Sequence, residues 1–414
     1  MVATDGSRAR DPYRRTHTDT RETIMIDTVI VGAGQAGLAM SHCLTAQGRD
    51  HVVLERAAVA DSWRSRRWDS FTLLSPNRLA RLPDWRYSGP DPGGFMTGEE
   101  VARYLEDYAH SFSAPVRVGV DVRRLYRVAG GWRLETSAGR LRAGNVVVAT
   151  GEMTRPRIPD VVAPVPSLHT ADYRNPAALP AGPVLVVGAG PSGQQIALEL
   201  VRAGREVHLA VGRHKAMPRR YRGRDAYDWM ERLGMLDRTV DTLPHPPGRT
   251  PHAVLTGGTR DLDVPRLVAE GVQAHGRLLG FDGAVPVFAD DLAESVAAAD
   301  RNADRFRAAV DAHLGLPTAP AAPRAVPAGT PAAPAVTVWA TGFSRDHDWI
   351  EAPVFDTDGR VVHHRGVTPA AGLYLLGLRW QWRRSSSFLD GVGRDAEHLA
   401  EVIEARSSAS LLAA

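Results

Sequence analysis

The stretch VLVVGAGPSGQQIALELVRAGREVHLAVGRHK, residues 184–215, contains every part of a nucleotide-binding unit. An apolar segment predicts a β-strand, a Gly-rich turn follows it, and the next residues predict a helix and a second strand. Gly188, Gly190 and Gly193 form the pattern GxGxxG at the head of that helix. In this pattern the first glycine permits a tight turn, the second lets backbone approach a pyrophosphate, and the third lets helix and strand pack closely.

The same unit occurs earlier in the chain, at residues 26–57. Gly32, Gly34 and Gly37 repeat the pattern directly after an apolar strand, and the helix N-terminus behind them favours phosphate. Glu55 ends the second strand of this unit, where a carboxylate can accept hydrogen bonds from both ribose hydroxyls. The strand, turn, helix and acid together predict that this unit binds a dinucleotide.

The two units differ at the end of their second strands. Where the first unit has Glu55, the second has Arg213, His214 and Lys215. Without the carboxylate a 2′-phosphate is not repelled, and a guanidinium can bind that phosphate through two hydrogen bonds. The second unit is therefore predicted to bind NADPH rather than NADH. The alternative is a solvated basic turn without a ligand.

Alternating strands and helices predict an α/β fold with two Rossmann-like dinucleotide-binding domains. A final apolar strand and a closing helix follow the second unit, so the second domain is expected to be inserted into the first. We expect a disordered extension before Met25, a first domain in two pieces, and a second domain that ends in a Pro/Ala-rich linker. The corresponding ranges are 1–24 for the extension, 25–175 and 336–414 for the first domain, 176–335 for the second domain and 317–335 for its linker.

The composition of the 414 residues excludes several classes of function. The only cysteine is Cys43, so an internal disulfide, a CxxC redox pair and a thiolate metal cage are all impossible, and redox chemistry must use a bound cofactor. A net charge of +3 is too small to indicate nucleic acid binding. No apolar run reaches the roughly 18 residues that cross a bilayer. We expect a cytoplasmic protein with no metal, no nucleic acid and no membrane partner.

Two apolar strands end in the tripeptide ATG, in NVVVATGE (145–152) and VTVWATGF (336–343). A small residue followed by glycine, as at Gly151, lets another backbone or a cofactor come close. Paired GxGxxG units with two such strand ends resemble the flavoproteins that have two dinucleotide-binding domains. Among these, the chain resembles the class B flavin-dependent monooxygenases, which include flavin-containing monooxygenases, N-hydroxylases, Baeyer–Villiger enzymes and the auxin-forming YUCCA group.

The resemblance covers residues 26 to 402 in the family's order and is weakest over 216–335. The pieces that carry it include VGAGQAG, DSWRSRRWDSFTLLSPNRLARLP, ATGEMTRPRIP, SLHTADYRNP, VVGAGPSGQQIA, VWATGFSRDHDWI and SSSFLDGVGRDAEHLA. Before the last of these, RWQWRRSSSF (379–388) is interpreted either as the mouth of the substrate site or as an exposed loop.

The resemblance implies two cofactors and assigns residues to each. For FAD, it implies contacts from the first glycine motif, from the DSWR element, from the first ATG turn and from the head of the last helix. These residues are Gly32, Gly34, Gly37, Glu55, Trp63, Arg64, Gly151, Gly391 and Gly393. For NADPH, it implies contacts from Gly188, Gly190, Gly193, Arg213 and Lys215.

Two residues are candidates for a catalytic role. The resemblance places Asn77, in SPNR, at the flavin face, although an Asn after Ser-Pro also stabilises turns. His169 matches the end of a family pattern, but Ala163 and Val165 replace the Phe and Gly of its Baeyer–Villiger form. That departure disfavours ketone oxidation and leaves His169 with a catalytic, gating or purely structural role.

The implied activity is oxygenation of a small molecule by O2. In this family NADPH reduces the flavin, O2 forms a flavin C4a-(hydro)peroxide, and a nucleophilic atom takes the distal oxygen. We expect nitrogen or sulfur rather than a ketone to be oxygenated. A homodimer is a candidate assembly. The alternatives are an NADPH-dependent flavoprotein reductase or oxidase, a Baeyer–Villiger monooxygenase and, more remotely, a nucleotide-sensing regulatory protein.

Overall fold

A computed structural model describes residues 25–243, 253–255, 257–318 and 324–412. The predicted extension 1–24 lies outside these ranges. The helices are α1 (Gln35–Ala46), α2 (Asp61–Ser65), α3 (Gly98–Ser111), α4 (Pro191–Arg202), α5 (Ala226–Arg232), α6 (Val264–Ala269), α7 (Leu292–Leu314) and α8 (Val392–Leu412). None of the helices in the described ranges has the length and apolar character to cross a membrane.

Two sheets organise the fold, and their thirteen strands are numbered here in chain order. They are β1 (Met25–Val31), β2 (His51–Leu54), β3 (Val116–Arg117), β4 (Val122–Val128), β5 (Gly131–Thr136), β6 (Gly139–Val148), β7 (Ser167–His169), β8 (Val184–Val187), β9 (Val207–Ala210), β10 (Gln273–His275), β11 (Val336–Trp339), β12 (Ile350–Glu351) and β13 (Leu373–Leu375). Short two-stranded ladders form the remaining strand pairs, among them Lys215–Ala216 with Ala253–Val254.

The first sheet has the order β12-β4-β5-β6-β1-β2-β3, and β13 pairs with the end of β6. Strands β1, β2, β3 and β6 are parallel, whereas β4, β5 and β6 form an antiparallel meander. Helices α1, α3 and α8 pack on one face through a core that includes Leu38, Leu105 and Leu399. Near-continuous apolar runs form the central strands because helices or loops cover both faces.

The second sheet is all parallel, with the order β7-β11-β8-β9-β10. Helices α4 and α6 cover one face, where Ile196 and Leu267 are fully buried. The α/β class with two Rossmann-like units is therefore confirmed, and the second unit does interrupt the first along the chain.

The strand pairing differs from the predicted domain ranges at both ends of the second domain. Strand β11 was expected in the first sheet, but it pairs in parallel with β7 and β8, so residues 167–169 and 336–339 belong to the second sheet. The physical reason is that VTVW is buried on both faces and needs a central position in a parallel sheet. The residues of β11 predict that this segment is a strand, but they do not predict which strands lie beside it in the sheet.

The Pro/Ala-rich segment packs against the second domain where the structure describes it. Arg324 binds the carboxylates of Asp263 and Asp300 at 2.6 and 2.7 Å. The Gly329 N–H donates to the carbonyl of Ala274 in edge strand β10, at 2.8 Å. Residues 324–335 form neither helix nor strand, as predicted, yet they cover a sheet edge that would otherwise be open to other chains.

Candidate functional site

The first phosphate loop joins β1 to α1, and chain packing fixes two of its three glycines. Gly32 has φ +106°, and a Cβ there would lie 2.6 Å from the carbonyl oxygen of Ala149. At Gly37 a Cβ would lie 1.8 Å from the carbonyl oxygen of Gly32. Gly34 differs, because a Cβ there would have no protein atom within 4 Å. No side chain caps the helix at Gly34, so this open space lies at uncapped N–H groups and fits a pyrophosphate.

The second loop, between β8 and α4, repeats this geometry. A Cβ at Gly188 would lie 2.6 Å from the oxygen of Ala340, and one at Gly193 would lie 1.8 Å from the oxygen of Gly188. At Gly190, again the helix N-cap, a Cβ would meet nothing within 4 Å. The structure thus contains two glycine cradles of the same construction, each closed by the turn of one ATG strand end.

Glu55 lies beside the first cradle. Its Oε2 accepts the N–H of Ala33 at 2.9 Å, and its Oε1 accepts the N–H of Ala57 at 3.0 Å. A carboxylate has about four acceptor positions, so both oxygens can still accept from ribose hydroxyls. The contact to Ala33 fixes the carboxylate relative to the glycine loop.

No acid stands at the corresponding place of the second unit. Arg213 is exposed beyond the end of β9, whereas His214 is buried with its Nδ1 2.9 Å from the carbonyl of Gly212. Burial lowers the pKa of His214, which keeps the ring neutral at pH 7. Lys215 is half-buried, and burial followed by the charge of Arg379 lowers its pKa. Arg213 is therefore the residue of this turn that is free to reach a 2′-phosphate.

Replacement of Arg213 is expected to change cofactor selection. Arg213→Ala should raise the KM for NADPH by about tenfold or more and the KM for NADH by less than about twofold, because only NADPH carries the 2′-phosphate. Steady-state oxidation of both nucleotides by the same preparation measures this, with NADH as the internal control. An equal change in both KM values would contradict a phosphate contact.

Trp63 and Arg64, in α2, have different surroundings. Trp63 Nε1 donates to Oε1 of Gln35, the first residue of α1, at 3.3 Å, which brings its ring to the first cradle. Arg64 instead binds two carboxylates of α3, Glu99 at 2.8 Å and Glu106 at 2.7 Å. These ion pairs attach α2 to α3. A cofactor contact by Arg64 stays a prediction and would require the guanidinium to leave these carboxylates.

Asn77 is buried with both ends of its carboxamide bonded to backbone. Nδ2 donates to the carbonyl of Asp91 at 2.9 Å, and Oδ1 accepts the N–H of Met96 at 2.6 Å. These two bonds tie Asn77 to the far part of the loop 77–96, at Asp91 and Met96. The arrangement favours the turn-stabilising role, and a contact with the flavin stays a prediction.

His169 connects the end of β7 to the second ATG turn. Its Nδ1 accepts the N–H of Ala171 at 3.1 Å, so Nε2 carries the proton and donates to the carbonyl of Gly342 at 2.9 Å. Burial lowers the pKa of His169, and the ring of Phe343 packs edge-on at 4.7 Å. Tyr173 is also held, by its hydrogen bond to Glu199 at 2.9 Å. Both residues make their contacts within the second domain, and a catalytic role for His169 stays a prediction.

Two glycines bring the start of α8 close to other backbone. A Cβ at Gly391 would lie 2.1 Å from the carbonyl oxygen of Ser385, and one at Gly393 would lie 3.0 Å from Pro83. Asp390 precedes them, and burial raises its pKa to about 6. The helix N-terminus is thus held at the edge of the loop that contains residues 379–388.

That loop is the part of the site that the sequence left undecided. The N–H of Arg384 donates to the carbonyl of Arg238 at 3.0 Å, and the N–H of Ser385 donates to that of Leu236 at 3.2 Å. The loop therefore pairs with the segment after α5, within the region that resembles the family least. Residues 379–388 therefore contact both this segment and the head of α8, and their place at the mouth of the substrate site stays a prediction.

Comparisons with known proteins agree with this geometry. A family model described as pyridine nucleotide-disulphide oxidoreductase matches residues 29–228. The "Uncharacterized oxidoreductase CzcO-like" of Geobacillus kaustophilus is 34% identical over 383 residues, which are 91% of this chain and 97% of that protein. The rice (Oryza sativa) indole-3-pyruvate monooxygenase YUCCA1 is 35% identical over 201 residues, and the match spans about half of either chain.

Among solved structures, the flavin-containing monooxygenase of Stenotrophomonas maltophilia has the same fold. Its TM-score is 0.67 at 22% sequence identity, and the match covers 92% of this chain and 99% of that one. Disulphide chemistry is not available to this chain through a dithiol, because Cys43 is its only cysteine. Burial raises the pKa of the Cys43 thiol to about 12.

Proposed function

Because the chain belongs to the class B flavin-dependent monooxygenase family, we propose that it is an FAD-containing, NADPH- and O2-dependent monooxygenase that oxygenates a small molecule. The observation that carries this proposal is the contrast between the two phosphate cradles. Glu55 adjoins the first and suits the ribose of FAD, whereas Arg213 follows the second and suits the 2′-phosphate of NADPH. The first sheet is accordingly the FAD domain and the second the NADPH domain.

Bound FAD would supply the redox and oxygen chemistry, which takes hydride from NADPH and activates O2. The chain's own residues bind and orient the two nucleotides. The N–H groups at Gly34 and Gly190 would hold the pyrophosphates, and the N-terminus of α8 at Gly391 would direct its positive end at the flavin. No proton transfer is assigned to Asn77, whose carboxamide is bonded to backbone at both ends.

Nitrogen or sulfur is the proposed site of oxygenation. His169 is neutral and bonded to backbone through both ring nitrogens, and the residues that precede it do not form the Baeyer–Villiger pattern. A nucleophilic amine nitrogen or thioether sulfur needs little acid–base help from the protein, provided that water is kept out. We therefore assign His169 a positioning role at the second ATG turn.

Stopped-flow mixing of the NADPH-reduced holoenzyme with O2 tests the activity. A long-lived absorbance distinct from oxidised and reduced flavin is the expected result. Immediate return to oxidised flavin with stoichiometric hydrogen peroxide would replace the monooxygenase by an NADPH oxidase or reductase. A colourless protein that cannot be loaded with FAD would exclude both the monooxygenase and the oxidase or reductase activity.

A substrate panel of amines, thioethers and ketones tests which kind of atom the protein oxygenates. Oxygen-dependent NADPH consumption should rise with amines or thioethers, and mass spectrometry should find one added oxygen in the product. Stimulation by ketones alone would contradict the nitrogen or sulfur assignment.

A further inference from the structure

Helix α5 belongs to the second domain and lies against the first. Phe306 of α7 shares a buried cluster with Met230 of α5. Leu292, at the start of α7, is buried in the core of the second sheet, so α7 joins α5 to that sheet. Leu79 of the first domain is 2% exposed and enters the same cluster as α5. Helix α5 is therefore a part of the second domain that reaches across to the first.

Two ion pairs flank Leu79. The guanidinium of Arg78 binds the carboxylate of Asp228. The guanidinium of Arg81 binds Oε1 of Glu231 at 2.8 Å. Both arginines and both acids are three residues apart, and the two acids share one face of α5, so the two elements meet in a single register. Nε of Arg81 also donates to the carbonyl of Arg78 at 3.1 Å, which fixes the two arginines relative to each other.

A third ion pair joins the segment after α5 to the head of α8. Arg394, in the first turn of α8, binds the carboxylate of Asp237. The head of α8 also touches the loop that carries the other two arginines, since a Cβ at Gly393 would lie 3.0 Å from Pro83. The three arginines thus stand on two adjoining elements of the first domain. These are the elements expected at the flavin, namely the loop that begins at Asn77 and the head of α8.

The three pairs are exposed and local. Their six side chains are between 31% and 60% exposed. The carboxylate of Asp390, half-buried before α8, lies on the first-domain side, so individual pairs interact and not two surfaces of opposite charge. An exposed ion pair shifts an equilibrium by about two- to fivefold, and salt weakens it. The pairs therefore adjust the position of α5 and do not by themselves hold the domains together.

Other contacts hold the segment that contains α5 at its two ends. Before the helix, Arg219 donates to the carbonyl of Leu74 at 2.6 Å. After the helix, the N–H of Ser385 donates to the carbonyl of Leu236 at 3.2 Å. Between these two anchors, the ion pairs set how closely α5 lies against the first domain.

We propose that Asp228, Glu231 and Asp237 are positioning residues for hydride transfer. Through their arginines they align the two flavin-side elements with the second domain, and hence with the nicotinamide nucleotide. In the transfer a C–H bond of NADPH breaks, and its hydrogen passes with both electrons to FAD, so that NADPH leaves as NADP⁺ and FAD becomes its reduced anion. A displacement of about 1 Å costs such a step up to about a hundredfold in rate. The inference rests on the proposed function, which places FAD and NADPH in the two domains.

Anaerobic stopped-flow reduction of the FAD-loaded protein by NADPH separates positioning from binding. The dependence of the rate on NADPH concentration gives the limiting rate constant of hydride transfer and the Kd of NADPH. The variants are Arg81→Glu, Glu231→Arg and the two together, which restore the ion pair in the opposite direction. Arg202→Glu is the matched control, because Arg202 forms a similarly exposed pair with Glu270, at 2.9 Å, inside the second domain. Thermal melts followed by circular dichroism establish that each variant is folded.

Each single reversal should lower the limiting rate constant by about fivefold or more. The Kd of NADPH should change by less than about twofold, since the glycine loop at Gly190 and the side chain of Arg213 are untouched. The double reversal should recover most of the lost rate, which a merely structural defect would not allow. Single reversals that match Arg202→Glu, or a double reversal no faster than either single one, would overturn the positioning role.

Hydrogen–deuterium exchange tests the contact itself without turnover. Arg81→Gln combined with Arg394→Gln removes two of the three pairs and should speed exchange in peptides that cover α5 by about four- to tenfold. Peptides that cover α4 should exchange as in wild type. Unchanged exchange in α5 would show that the pairs do not hold this helix against the first domain, and the proposal would fall.

These outcomes are separate from the test of the monooxygenase. A flavin whose reduction depends on the pair of Arg81 and Glu231, but which O2 returns at once to the oxidised form, would keep the positioning role and lose the oxygenase assignment. An oxygenase whose reduction ignores this pair would do the reverse.

Discussion

Gly37→Ala is expected to destabilise the folded chain by about 3 kcal/mol, because its new methyl group meets backbone that cannot move aside. The Cβ would lie 1.8 Å from the carbonyl oxygen of Gly32, whose own position is set by close contact with Ala149. The gain in helix propensity from alanine, at most about 1 kcal/mol, is too small to offset this. Urea denaturation of the cofactor-free protein measures the loss.

Gly34→Ala, three residues away, is the matched control and should separate folding from cofactor binding. Gly34 has φ −85°, which alanine adopts without strain, and its Cβ would enter space without protein atoms. We expect stability of the cofactor-free protein to change by less than about 1 kcal/mol and FAD occupancy to fall about tenfold or more. Full FAD occupancy in Gly34→Ala would show that no phosphate occupies that space.

The second cradle provides the same contrast for the other nucleotide. Gly190→Ala should retain FAD and weaken NADP⁺, since its Cβ also meets nothing within 4 Å.

The glycine motifs could be predicted because their spacing follows from local packing of a strand, a turn and a helix. The sequence also contains the ATG strand end that packs against each glycine turn. Ala149 closes the loop at Gly32, and Ala340 closes the loop at Gly188 in the same way. Because each ATG strand end packs against one glycine loop, the second ATG strand, β11, would be expected beside the second loop and therefore in the second sheet. The predicted boundary at 336 did not use this pairing, since a strand's own residues do not specify its neighbours.

Side-chain roles were harder to predict than backbone positions. Arg64 meets carboxylates of α3, Asn77 meets residues 91 and 96, and His169 meets Gly342. Each partner comes from a distant part of the chain or from a loop whose path no periodicity reveals.

Asp225→Asn is expected to cost about 3–5 kcal/mol, because it removes the carboxylate charge that a buried guanidinium binds. Arg219 is 1% exposed and binds Oδ2 of Asp225 through Nε at 2.9 Å and Nη2 at 2.5 Å. Asparagine keeps the Oδ1 atom that accepts the N–H of Tyr227 at 2.8 Å, so the cap of α5 survives and the variant removes mainly the charge. Urea unfolding followed by tryptophan fluorescence measures the change.

Arg220→Ala is the control, since this neighbouring arginine is exposed and its guanidinium donates to the carbonyl of Gly223, so its loss should stay within about 0.5 kcal/mol. The difference matters for function because Arg219 also reaches the first domain. It donates to the carbonyl of Leu74 at 2.6 Å and lies 4.8 Å from the ring of Phe95. Equal stability of Asp225→Asn and Arg220→Ala would mean that this buried pair does not hold the two domains together.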